Sequence, residues 1–179
     1  MPIKKRPIKL RDNKPEKASN PNIPAALKRM GILLAAGHGD EEDARLYFTH
    51  LYAHRLSCIR AQVATAEKNR NWRHMQGSYQ LAAETYVLAS VLYEKFPNEQ
   101  PLMSDAAYDY LARFLLRNMG KLSKDFRDWY TITAMDMRAG TGMNVTVQEP
   151  IRWMVFLHTG YDMPKTTKPK KKPTRRRIK

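Results

Sequence analysis

Half of the chain's 32 lysines and arginines lie in its two ends, and this segregation decides which residues can enter a core. Residues 1–17 carry Lys4, Lys5, Arg6, Lys9, Arg11, Lys14 and Lys17 against Asp12 and Glu16, a net of +5. Residues 164–179 carry nine cations and no acid. The span between them holds 16 basic and 15 acidic residues, so the ends supply +14 of the net charge of +15. Blocks of like charge stay expanded, because collapsing them costs Coulomb energy that no apolar burial offsets. Pro2, Pro7, Pro15, Pro21 and Pro24 add breaks that favour an extended first segment. The expected organisation is a flexible basic arm over 1–23, one helical domain over 24–163, and a disordered basic tail over 164–179. A chain of 179 residues suits one such core and hardly two.

Within the central span the apolar residues recur at helical intervals. A short helix is expected after Pro24, through Ala36 to Gly37, with Asp40 capping a long one that runs to about Lys68. Leu46, Tyr47, Leu51, Leu56, Ile59 and Val63 would form the buried face of that long helix. Asn69-Arg70-Asn71 marks a turn, and the next helix starts at Trp72 or Ser78 and ends at Phe96, with Leu81, Leu88, Val91 and Leu92 inward. Ser104 caps a helix through Leu116 that buries Leu111 and Leu115, with Tyr108 near its apolar side and Gly120 beyond its end. Ser123 caps another containing Phe126, Trp129, Ile132 and Met135 and ending at Ala139-Gly140. Thr141 to Val147 reads as strand or loop, and Pro150 opens a last helix with Ile151, Trp153, Met154 and Leu157, closed by Gly160. The expected fold class is all-α, a single compact bundle of five to six helices with no internal repeat.

Several chemistries are excluded by what the chain lacks. It has no Gly-rich loop ending in Gly-Lys-Ser/Thr and no Gly-x-Ser-x-Gly elbow. A single cysteine, Cys58, precludes an internal disulfide and points to a reducing compartment. The absence of a charge-free window of about 18 residues argues against a membrane span, so a cytoplasmic protein is expected. Lys168 to Pro173 has the look of a nuclear import signal, which matters only in a eukaryotic host. His50, His54 and Cys58 repeat every fourth residue, but the outer two are about 12 Å apart along a helix, too far for one zinc ion with bonds of about 2.0–2.3 Å. No metal site and no catalytic residue is expected. Cys58 reads as a small core residue.

The end charges point to polyanion binding, with DNA the leading partner through Lys4, Lys5, Arg6, Lys9, Lys168, Lys170, Lys171, Lys172, Arg175, Arg176 and Arg177. If about half of the sixteen end cations meet phosphates, binding falls with salt at a log–log slope near about −7. In the body, Asp105, Tyr108 and Asp109 follow the Ser104 cap at i, i+3 and i+4, on one face of a helix start. Two carboxylates and a phenol there suit hydrogen bonds to a ligand's hydroxyls or amide. The same acids also suit the dipole at the start of any helix. An acid–base role for Asp105 and Asp109 has no nucleophile, metal set or phosphate cradle beside it.

Tyr93-Glu94-Lys95, a Pro-containing loop, and Met103-Ser104-Asp105-Ala106-Ala107-Tyr108-Asp109-Tyr110-Leu111 resemble the N-terminal Ia region of bacterial NAD-dependent DNA ligases. The resemblance covers roughly residues 78–120. It implies a helical cap that grips the nicotinamide mononucleotide half of NAD, with Asp105, Tyr108 and Asp109 as polar contacts and Tyr93 as an aromatic packed on the nicotinamide. No Lys-x-Asp-Gly occurs, so the adenylated lysine of a ligase is missing. The resemblance therefore implies a stand-alone, non-catalytic relative of the kind found in phage genomes, working beside a separate ligase core or another replication or repair enzyme. An alternative expectation is a structural component of a virion, nucleoid or ribonucleoprotein particle, with the arms threaded through packed nucleic acid.

Overall fold

The computed structural model describes residues 24–139, 145–161 and 163. Among them the regular secondary structure is all helical: α1 (Ala25–Ala35), α2 (Glu41–Asn69), α3 (Tyr79–Lys95), α4 (Asp105–Arg117), α5 (Lys124–Tyr130), α6 (Ala134–Ala139) and α7 (Glu149–Thr159). Short 3-10 turns follow α2 and α4. None of these helices is long and apolar enough to cross a membrane.

The helix starts follow from local chemistry. Asp40 accepts a hydrogen bond from the Asp43 N–H at 2.9 Å while Asp43 accepts from the Asp40 N–H at 3.3 Å, a reciprocal cap at the head of α2. The Ser104 and Ser123 hydroxyls accept from the N–H groups of Ala107 and Phe126 and start α4 and α5. Pro150 lies in the first turn of α7, and Gly160 ends it at φ +80°, a conformation that costs glycine nothing.

α3 is the axis of the bundle. Every residue from Leu81 to Leu92 is buried, which a helix achieves only with neighbours on all sides. Helices α4 and α7 pack directly on it, while α2 packs on α7 and α4 and α6 packs on α4. The composition of α3 permits this. Ala82, Ala83, Ala89 and Ser90 let neighbouring backbones approach, and the hydroxyls of Thr85 and Ser90 donate to the carbonyls four residues back, at 2.7 and 2.8 Å. The one charge in the stretch, Glu84, pairs with Arg55 of α2.

Two sequence expectations need correction, and the choice left open between strand and loop is resolved for the described residues. The helix from Ser123 to Ala139 is two helices, because Thr131 takes the left-handed conformation at φ +56° and turns the chain. As a result Trp129 is 49% exposed and Met135 81% exposed, although Ile132 is buried. Leu46 is 47% exposed, because the buried face of α2 begins only at Leu56 and continues through Ile59, Val63 and Ala66. Of the span Thr141 to Val147, residues 145–147 form no strand; the Thr146 N–H donates to the Tyr130 carbonyl at 2.9 Å and Val147 is buried.

Candidate ligand pocket at the start of helix α4

The C-terminal end of α3 and the N-terminal end of α4 meet across the Pro97–Met103 connection, and a pocket of about 140 Å³ lies between them. Tyr93, Asp105, Tyr108 and Asp109, singled out from the sequence, all line it, together with Ala89 and Met103. An engineered cavity of roughly 150 Å³ holds one benzene ring, so this volume suits a single six-membered ring with the rest of a ligand outside.

Each lining side chain has its own setting. The Ser104 cap puts Asp105 at the first helical position and Asp109 one turn on; both are exposed at the rim. Asp109 Oδ2 lies 3.8 Å from Arg113 Nη2, one turn further along α4. Tyr93, on the last turn of α3, is 71% exposed. Tyr108 is the fixed wall: its ring stacks on Tyr86 with centroids 5.1 Å apart, and its hydroxyl lies 2.8 Å from Ser90 Oγ. Ser90 spends its one proton on the Tyr86 carbonyl, so in the second contact the Tyr108 O–H donates and Ser90 accepts. Tyr108 thus presents an oriented ring to the pocket with its proton already committed. Ser90 and Tyr86 were not singled out from the sequence. Their spacing of four on α3 was visible, but their pairing with Tyr108 needs the α3–α4 contact.

The remaining sequence candidates have plainer surroundings. Cys58 Sγ lies 3.7 Å from His54 Nε2, and His50 is exposed. Burial pushes the Cys58 thiol above its ordinary pKa, against the opposing pull of Arg55. Among the described residues no group of three or more His, Cys, Asp or Glu is arranged to hold a metal ion. The end cations Lys4, Lys5, Arg6, Lys9, Lys168, Lys170, Lys171, Lys172, Arg175, Arg176 and Arg177 lie outside the described residues.

A second concentration of ionisable groups is interior and structural. Arg55 and Glu84 pair where α2 meets α3, with Tyr52 and Tyr130 in electrostatic reach. Burial pushes the Tyr52 phenol up to about 12, reinforced by Glu149 and Glu84 and opposed by Arg55. Burial raises Tyr130 as well, again reinforced by Glu84, so both phenols keep their protons through the physiological range. Comparison of the chain with protein-family models, with curated proteins and with solved structures finds no match.

Proposed function

We propose that this protein is a non-catalytic, nucleic-acid-associated accessory factor that works beside a separate ligase core or another replication or repair enzyme. Its arms hold it on DNA, and its α3–α4 pocket receives the nicotinamide end of a nucleotide. The observation that carries the first part is the separation of +14 of the net charge into segments outside a nearly neutral body. Such arms neutralise phosphates without reading base sequence.

The experiment on the arms replaces Lys170, Lys171, Lys172, Arg175, Arg176 and Arg177 by glutamine and follows duplex binding between 50 and 200 mM salt. If half of these six contact phosphates, the log–log salt slope becomes shallower by about 3. An unchanged slope and affinity would remove the arms from the reading.

Support for the nucleotide part comes from the pocket. It has the volume of one ring, two aromatic walls and two carboxylates at its mouth. Carboxylates there favour a cationic ring and ribose hydroxyls and disfavour a bare phosphate, which matches the pyridinium end of NAD or nicotinamide mononucleotide better than the adenylate end. Titration calorimetry with nicotinamide mononucleotide is expected to show binding that Asp109→Ala weakens by about 1.5–3 kcal/mol, the range for a hydrogen bond to a charged group. Absence of heat at millimolar ligand would eliminate the nucleotide part and leave the arms untouched.

A further inference from the structure

A nearly neutral body need not be evenly neutral. Arg70 and Arg73 from the α2–α3 connection and Arg113 and Arg117 from the last turns of α4 line one cleft of about 380 Å³, with Tyr110 and Phe114 between them. Among the described residues no Asp or Glu lines this cleft, and Arg70, Arg73 and Arg117 form no ion pair. Arg113 has two contacts, a 3.8 Å approach to Asp109 in which both groups are more than half exposed, and a position 5.4 Å from the Tyr110 ring centroid. An exposed pair of that length contributes little.

The cleft is held in shape by the fold. The Asn71 side chain accepts from the Arg73 N–H at 3.0 Å and donates to the Asn69 carbonyl at 2.8 Å, which sets the turn. The buried indole of Trp72 donates to the Ala107 carbonyl at 2.9 Å, which fastens that turn to α4. On α4 the spacing of four stacks Arg113 and Arg117 on one face. Arg70 ends α2 in the left-handed conformation at φ +52°, where glycine is the ordinary choice. Four guanidinium groups in one concavity repel one another, and an arginine with positive φ adds backbone cost. These unfavourable choices converge on one feature, and a multiply charged anion is what relieves the repulsion.

We propose that this cleft binds the phosphate backbone of a nucleic-acid strand, the arginine forks meeting phosphate oxygens and Tyr110, 37% exposed, offering a face on which a base stacks. The site goes beyond the arms, because it belongs to the folded domain and requires neither end of the chain.

The test uses the full chain and fluorescence anisotropy with single-stranded and duplex oligonucleotides. Arg73→Glu combined with Arg117→Glu is expected to weaken binding on the order of tenfold or more at 0.15 M salt and to reduce the salt slope by roughly 1.4 for a single strand or 1.8 for a duplex. The oligonucleotide showing the larger loss identifies the preferred form. A control with the same change in net charge, Arg29→Glu with Arg45→Glu, alters exposed arginines of α1 and of the start of α2, the second lying about 37 Å along α2 from Arg70. Equal loss in both variants, or no loss in the first, overturns the cleft. So does equal displacement of the oligonucleotide by polyglutamate, which would show a site for acidic protein instead. Arg70→Gly guards against a folding artefact: it relieves the left-handed backbone, so thermal stability holds or rises while affinity falls. Glutamine at all sixteen end cations separates the two readings. Residual binding abolished by Arg73→Glu with Arg117→Glu supports the cleft, and so does binding as tight as the unaltered chain's, which would remove the arms. No binding by the arm-neutralised protein overturns the cleft and leaves the arms.

Discussion

Replacing Arg55 by methionine is expected to destabilise the domain by about 3–5 kcal/mol at neutral pH, the penalty for leaving one member of a buried pair without the other. Arg55 meets Glu84 inside the bundle, with both side chains at most 15% exposed. Burial already raises the Glu84 pKa, and Arg55 is what opposes the rise, through its charge and its hydrogen bond. A carboxyl whose folded-state pKa lies above its unfolded value binds more protons in the folded state. Its contribution to stability is therefore fully present below the unfolded value, in the ordinary carboxylate range, and is lost as pH climbs through the raised one. Without Arg55 that raised value moves higher still. The deficit of Arg55→Met relative to the unaltered chain should then be greatest at neutral pH and narrow on acidification toward the ordinary carboxylate range. Urea denaturation across pH measures this, and a deficit that widens in acid would contradict it. Adding Glu84→Gln to Arg55→Met should recover part of the loss at pH 7, because a neutral amide has no charge to desolvate. Replacing both partners by methionine should return the protein close to its starting stability, since an apolar pair carries no such penalty.

How far the sequence revealed this arrangement depended on whether each signal was local. Asp40, Ser104 and Ser123 were readable as caps because a cap is set by residues within one turn, and all three start helices here. Thr131 was not readable as a break: it is neither Gly nor Pro, and its left-handed conformation is tied to contacts with Thr146, fifteen residues on. Periodicity identified one inward stripe on α3 but could not show that Ala82, Ala83, Glu84 and Ser90 were buried as well, because an all-round core helix is defined by its neighbours. It also treated Leu46 as equal to Leu56, although only the latter lies under the rest of the bundle. The pocket was partly legible for the same reason as the caps. Asp105, Tyr108 and Asp109 share one helix face by spacing alone, whereas the inward hydrogen bond of Tyr108 depends on α3. The arginine cleft was hidden by summation, since a body charge near zero says nothing of where the charges lie. Arg73 and Arg113 stand forty residues apart and are joined through the contact of Trp72 with α4.

That contact makes Trp72 the residue whose truncation should disturb stability and binding together. Its side chain is 2% exposed, its ring stacks on His74 with centroids 5.9 Å apart, and its N–H reaches the Ala107 carbonyl. Trp72→Ala removes the largest of the fully buried side chains and leaves a void between the α2–α3 turn and α4, so a loss of about 3–5 kcal/mol in unfolding free energy is expected. Trp72→Phe keeps most of the apolar volume and removes the donor, which should cost only about 1 kcal/mol plus the small change in packing. The ratio between the two separates packing from hydrogen bonding: if Phe is as damaging as Ala, the indole N–H contributes more than its geometry implies. The turn that Trp72 fastens carries Arg70 and Arg73, while α4 carries Arg113 and Arg117. Under conditions where Trp72→Ala is still folded, the two halves of the cleft lose their common anchor, and oligonucleotide affinity should fall although no arginine has been altered. A truncated variant that is folded by circular dichroism, yet binds as tightly as the unaltered chain, would show that the cleft does not need the turn held against α4.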